Sequence, residues 1–315
     1  MIKDFIILFL GFLFLIKGAD FLVDGASSIA KLLKVPTIII GLTIVAMGTS
    51  APEAAVSISA AIKGENAIAI ANVIGSNIFN LLIVGGVCAL ITPIRVKKSL
   101  IKGEYPFSIL ISILLLFFIS DFIFGKDIIT LGKIEGIVLL ILFVLFLIYM
   151  IISAIKNKET LEEDFKTLSP LMSILYIIIG LIGVIWGGDM VVDGASSIAA
   201  AIGLSANLIG LTIIALGTSL PELVTSMVAA KKGDSDMALG NIIGSNIFNI
   251  LLILGMASAI QPIVVTMESV IDLIVLCIVS IITYFFCISK TDINKKEGFI
   301  MIVMYIIYMT YICIR

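Results

Sequence analysis

Long apolar runs separated by short polar turns recur from one end of the chain to the other. A helix needs about 20 apolar residues to cross the hydrocarbon of a bilayer. That ruler predicts about ten spans, at 4–29, 36–61, 67–91, 104–124, 133–155, 170–200, 205–230, 236–260, 267–288 and 296–313. Turn chemistry marks the breaks at Lys34-Val35-Pro36, Lys63-Gly64, Thr92-Pro93, Gly125-Lys126-Asp127, Lys232-Gly233 and Gln261-Pro262. One longer polar stretch, 156–169, mixes Lys156, Lys158 and Lys166 with Glu159, Glu162, Glu163 and Asp164. It is too short for a domain and reads as a connector.

The apolar pattern is duplicated. With an offset of 169 residues, Gly18 to Ile94 lies on Gly187 to Ile263 without a gap, and about half the positions are identical. The identities crowd onto small and polar residues while the lipid-like residues drift. A purely structural repeat needs only its hydrophobic pattern, so this bias favours a shared site. Three stretches carry it: Asp20 and Asp24 match Asp189 and Asp193; Gly48-Thr49-Ser50-Ala51-Pro52-Glu53 matches Gly217-Thr218-Ser219-Leu220-Pro221-Glu222; and Asn72 to Asn80 matches Asn241 to Asn249. The predicted organisation is a first five-helix repeat over 1–155 with its core at 36–91, the connector 156–169, and a second repeat over 170–315 with its core at 205–260. Five spans per half is an odd number, so the second half must insert upside down relative to the first. Inverted repeats with a site at their interface are a secondary-transporter architecture.

Composition agrees with the pattern. At 61% hydrophobic and 13% charged, the chain falls far from soluble domains, in which about a quarter of residues are charged. The expected class is an all-α, multi-pass membrane protein. The first apolar stretch has no basic leader or small-residue cleavage site and carries Lys17 and Asp20, so it reads as a retained helix. Cys88, Cys277, Cys287 and Cys313 all lie in apolar runs without CxxC spacing, as packing residues do. With the N-terminus outside, 14 Lys and Arg fall in inside loops against 5 outside. The bias predicts both termini extracellular and the connector cytoplasmic. Lipid is the expected surrounding; nothing suggests nucleic acid, a cofactor or an obligatory protein partner.

Two carboxylates inside spans are the chemical centre of the reading. A charge at that depth costs several kcal/mol or more, and the chain places Glu53 and Glu222 there at matching positions. Pro52 and Pro221 cannot donate a backbone hydrogen bond and crowd the carbonyl four residues back, so each helix should break near its middle. Ser50 and Ser219 followed by Pro and then Glu read as helix starts of the capping-box kind. The breaks would offer carbonyls, the hydroxyls of Thr49, Ser50, Thr218 and Ser219, and one carboxylate each. All are oxygen donors, which suit hard cations such as Ca²⁺ and Na⁺. The chain has no His, which disfavours zinc or copper. Two carboxylates balance one divalent or two monovalent ions. Ser76 and Asn80, like Ser245 and Asn249, are four apart on one helical face and add neutral ligands. Asn77 and Asn246 point off that face, toward a neighbouring broken helix. Asp20 with Asp24, and Asp189 with Asp193, are expected to cap or hydrogen-bond neighbouring segments, and Lys17 to pair with Asp20. The enzyme alternative for these pairs is Mg²⁺-dependent prenyl transfer.

With these residues in view, the chain resembles the cation/calcium antiporter superfamily, most closely its compact prokaryotic sodium/calcium exchangers. The resemblance spans essentially the whole chain and rests on the motif pair GTSxPE and GSNxxxN, present twice. It implies ten helices, with Glu53 and Glu222 as central ligands. Thr49, Thr218, Ser50 and Ser219 would supply further oxygens, and Ala46 and Ala215 backbone carbonyls. Ser76 and Ser245 would sit in flanking sodium sites, and Asn80 and Asn249 would line the middle. It implies exchange of Na⁺ for Ca²⁺ across a plasma membrane by alternating access. Potassium-dependent members use an acid at the position of Asn249, so the resemblance argues against K⁺ co-transport here. The alternative within the class is H⁺-driven exchange of Ca²⁺ or another divalent cation.

Overall fold

The computed structural model describes residues 2–120, 129–156, 168–203 and 215–314. Its helices are α1 (Ile2–Leu33), α2 (Thr37–Thr49), α3 (Ala51–Lys63), α4 (Ala67–Ile91), α5 (Lys98–Phe118), α6 (Lys133–Lys156), α7 (Pro170–Ala201), α8 (Leu220–Lys231), α9 (Ser235–Ile260), α10 (Met267–Lys290) and α11 (Lys295–Ile314). Among the described residues, eight helices are long and apolar enough to span a bilayer, and the bent pair α2–α3 makes nine. The protein is an all-α, multi-pass membrane protein. The expected span 205–230 is seen from Ala215 onward, through the short helix Ala215–Gly217 and then α8. Its first residues lie outside the described ones, as do the turn Gly125–Asp127, the end of the fourth span and most of the connector.

Burial sorts the helices into two layers. The most apolar windows of α9 and α4 are 83% and 72% buried, those of α6 and α11 only 22% and 17%. The polar motifs ride on the buried helices. Large apolar side chains such as Ile141, Leu145, Ile306 and Ile307 face outward on the others, as a hydrocarbon surrounding demands. The proline positions act as expected. α2 and α3 meet at 50°, and the break residue has nearly the same backbone in both copies, φ −80° and ψ 9° at Ser50 and φ −93° and ψ 6° at Ser219.

On one flank, α1 and α7 pack antiparallel with almost nothing between their backbones. Gly11 and Gly18 on α1 meet Gly187 and Gly180 on α7, while seven residues further along Gly25 meets Ser173 and Ile177, and Gly194 meets Asp4 and Leu8. A methyl on Gly18 would stand 2.6 Å from the Val184 amide, and one on Gly180 would stand 2.5 Å from that of Leu22. Small residues permit this approach in membranes, where dispersion and close packing replace the hydrophobic drive.

The sequence pattern did not signal two features. Four short strands form two antiparallel ribbons, β1 (Ile94–Arg95) with β4 (Asp292–Ile293) and β2 (Ile129–Leu131) with β3 (Ile263–Val265). A residue before proline is driven to extended backbone. Thr92 (φ −144°, ψ 128°) and Gln261 (φ −142°, ψ 129°) obey this and launch β1 and β3 from helix ends. The second feature is π-helical backbone within the buried helices, at Gly41–Val45, Asn80–Val84 and Asn249–Leu254. Such bulges free backbone groups and are frequent at functional sites.

Candidate functional site

α3 and α8 each begin at a break and carry Glu53 and Glu222 in their first turn, both fully buried. Each carboxylate is held by hydroxyls from both halves of the chain. Glu53 Oε1 accepts from Ser219 Oγ at 2.9 Å and from Ser76 Oγ at 3.4 Å. Glu222 Oε1 accepts from Ser50 Oγ at 2.9 Å and from Ser245 Oγ at 3.3 Å. The capping-box expectation is therefore corrected. Ser50 and Ser219 do start the helices, but neither side chain caps its own helix. Donating to a buried carboxylate of the opposite half makes a charge-assisted hydrogen bond, stronger than accepting one from a local amide N–H, so each hydroxyl crosses over.

The two asparagine motifs interlock. Asn77 Nδ2 donates to the Asn246 carbonyl at 3.2 Å, and Asn246 Nδ2 donates back to the Asn77 carbonyl at 3.3 Å. Asn80 Nδ2 reaches Asn246 Oδ1 at 3.2 Å, and Asn249 Nδ2 reaches Asn77 Oδ1 at 3.0 Å. Asn77 and Asn246 thus join α4 to α9 and do not serve a broken helix, which corrects that reading. The physical reason is the close crossing of the two helices, which brings amide to amide.

Two residues without an assigned role prove to be supports. Asn72 Nδ2 donates to the Glu53 carbonyl at 3.4 Å and to Ser57 Oγ at 2.9 Å. Asn241 repeats this on the Glu222 carbonyl at 3.4 Å and Ser226 Oγ at 3.0 Å. Their spacing inside the repeated Asn-to-Asn stretch was the available signal. Thr49 is buried and donates to Asn241 Oδ1 at 3.0 Å, tying α2 to α9. The Ala46 carbonyl accepts from Thr49 Oγ1 at 3.3 Å. Thr218 borders a cavity of about 470 Å³ that Pro52, Val56, Asp189, Asp193 and Pro221 also line. Ala215 opens the short helix before the second break.

Four buried carboxylate and amide oxygens of this cluster have no hydrogen-bond donor: Glu53 Oε2, Glu222 Oε2, Asn80 Oδ1 and Asn249 Oδ1; the Thr218 hydroxyl is likewise buried without a partner. Buried polar atoms are nearly always paired, and an unpaired buried carboxylate oxygen is costly. All four are acceptors, two of them from carboxylates. That donor set fits a hard cation.

A family model described as sodium/calcium exchanger protein matches residues 3–152 and 172–314. The chain belongs to the sodium/calcium exchanger family. It is 33% identical to sodium/calcium exchanger MaX1 of Methanosarcina acetivorans, over 97% of each chain. It is 36% identical to the inner membrane protein YrbG of Escherichia coli, over 81% of this chain and 79% of that one. Among solved structures it resembles the sodium-calcium exchanger NCX_Mj soaked with 10 mM Na⁺ and no Ca²⁺, with 36% identity, 98% coverage of both chains and a TM-score of 0.84. As an exchanger, the protein is a transporter, and the expected resemblance stands.

Proposed function

We propose that this exchanger carries Na⁺ and Ca²⁺ in opposite directions through one oxygen site centred on Glu53 and Glu222. The observation that carries the reading is the set of four donorless buried oxygens, two from each half. A cation among them would satisfy all four together. Two of the four belong to carboxylates, whose charges a metal cation would balance directly while the two amide oxygens serve as neutral ligands. Ser50, Ser76, Ser219 and Ser245 hold the carboxylates, with Thr49, Thr218 and the carbonyls of Ala46 and Ala215 completing the donor set. Two carboxylates match one Ca²⁺ or two Na⁺, so one ion species displaces the other.

The site lies between inverted halves, 1–155 and 170–315, and serves alternating access. The excess of Lys and Arg in the loops sets both termini outside a plasma membrane and the connector inside. Asp20 and Asp24 both hold Lys232, at 3.4 and 2.7 Å. Lys17 stands 3.8 Å from Asp20, as the sequence suggested. This occupation of the first acidic pair argues against a Mg²⁺-pyrophosphate role.

The test is ⁴⁵Ca²⁺ uptake into proteoliposomes loaded with Na⁺ and diluted into Na⁺-free buffer, against choline-loaded vesicles at clamped pH. Uptake only with the Na⁺ gradient is the expected result. Uptake driven by a pH gradient without Na⁺ would replace Na⁺ with H⁺ as the counter-ion. Uptake with neither would overturn the calcium assignment.

A further inference from the structure

The two faces of the bundle differ at residues that the repeat makes equivalent. Gly25 of α1 packs on Ser173, near the start of α7, so Asp20 and Asp24 lie toward the face that the 156–169 connector joins. There Lys232 Nζ lies 2.7 Å from Asp24 Oδ1 and 3.4 Å from Asp20 Oδ1, and it donates to the Asp20 carbonyl at 3.1 Å. Two residues on, the Asp234 carboxylate accepts from Ser27 Oγ at 3.2 Å and Thr37 Oγ1 at 2.8 Å. Both ties fasten the turn between α8 and α9 to α1 and to the start of α2.

The offset of 169 maps Lys232 to Lys63, Asp234 to Glu65, Asp20 and Asp24 to Asp189 and Asp193, and Ser27 to Ser196. On the opposite face none of these ties is made among the described residues. Lys63 and Glu65 are exposed. Asp189 and Asp193 line the cavity of about 470 Å³. Ser196 Oγ is buried and has no hydrogen-bond partner. The turns themselves are built alike: Gly64 and Gly233, each following its lysine, take the left-handed backbone at φ +78° and +83°. What differs is whether the acidic helix lies within reach. Exposure inverts accordingly, since Val56 lines the cavity and is 39% exposed while its mate Thr225 is 0% exposed.

We infer that Lys232 and Lys63 are alternating clasps, positioning residues for the exchange, each engaged in one end state. Lys232 on Asp20 and Asp24 holds the connector face shut, as seen. In the other end state Lys63 closes on Asp189 and Asp193, Glu65 takes the hydroxyl of Ser196, and Lys232 and Asp234 let go. Two Asp four apart on one helical face repel, and a lysine between them removes that repulsion as water leaves. In the open face the same pair, facing an aqueous cavity, draws cations inward. The inference rests on the exchanger reading only for the existence of two end states.

The experiment labels Thr225→Cys with a membrane-impermeant thiol reagent in a Cys313→Ser background, since the other three cysteines are buried. Labelling at 225 scales with the population whose connector face is open. Lys232→Met should raise the rate about twofold to fivefold, the effect of losing a partly exposed ion pair. Lys63→Met, at an exposed side chain without an ion pair among the described residues, should lower it by a similar factor. Exchanging the charges, Lys232→Asp with Asp24→Lys, should return the rate to near the parent value. Unchanged rates, or shifts of the same sign in both single variants, would overturn the inference, because a merely structural lysine gives no opposed response. Labelling needs neither ion gradient. Opposed shifts without Na⁺-driven Ca²⁺ uptake would therefore sink the transport reading alone, and uptake without opposed shifts would sink the clasps alone.

Discussion

The centre and the rims of this exchanger use the duplicated sequence in opposite ways. At the centre the two copies do nearly the same thing at once, although Thr49 bonds Asn241 where its mate Thr218 has no hydrogen-bond partner. Ser50 reaches Glu222 and Ser219 reaches Glu53, both at 2.9 Å, and Asn72 and Asn241 support the two Glu carbonyls at 3.4 Å each. At the rims, equivalent residues part company: among the described residues Lys232 is bound where Lys63 is not, and Thr225 is sealed where Val56 meets a cavity. Under the proposed exchange, a site between two inverted halves stays nearly symmetric, because each ion has to be held alike whichever side it came from. Its entrances cannot be symmetric in any one state, or both would open together.

The most severe way to break the symmetric centre is to remove one of its charges. Glu53→Gln and Glu222→Gln should each reduce Na⁺-dependent ⁴⁵Ca²⁺ uptake to background while leaving membrane insertion intact; near-normal flux in either variant would refute the site. Next comes the flank that carries the acidic pairs. Gly18→Leu or Gly187→Leu would push a side chain into the facing backbone. The expected cost is about 1–3 kcal/mol or more, measured as a lowered thermal midpoint in detergent. Asn72→Ala and Asn241→Ala leave a buried carbonyl and a serine without their donor, at about 1–3 kcal/mol each. Asn241 also accepts from Thr49, so calorimetric Ca²⁺ binding should weaken in both variants and more in Asn241→Ala; the reverse order would show that the Thr49 bond does not support the site. The mildest test lies at the rim. Lys97 and Asp236 form an ion pair at 2.8 Å with side chains 35% and 18% exposed, and Lys97→Ala should change stability by no more than about 1 kcal/mol.

Much of this was legible in the sequence because membranes make sequence patterns loud. Lipid forbids unsatisfied backbone, so spans must be helices and their lengths can be counted. A carboxylate in a span announces itself, and its recurrence at Glu222 pointed to one shared site. Ser76 and Ser245, read from their spacing as neutral polar groups of the site, each donate to a buried carboxylate. The misread parts were those in which a local partner competes with a distant one. Ser50 and Ser219 carry the grammar of caps, yet their hydroxyls serve the other half. Asn77 and Asn246 were placed against a broken helix, yet they bind each other's backbone. The ribbons at Ile94 and Ile263 were short enough to vanish beneath the helical pattern, although the prolines before them set their extended backbone.

The sequence by itself determined the membrane class, the duplicated halves, the breaks at Pro52 and Pro221, and the oxygen character of the site. All of these follow from residue type and spacing along the chain, where proline geometry, the cost of a buried charge and the need to satisfy backbone act locally. Only the tertiary structure decided which hydroxyl holds which carboxylate, that four acceptor oxygens lack donors together, and which lysine is engaged. Most of those depend on contacts between residues far apart in the chain, such as Ser219 with Ser76 and Lys232 with Asp24. The repeat makes both halves chemically eligible for every such contact. Packing selects one set: Lys232 meets Asp20 and Asp24, and among the described residues Lys63 makes no such contact.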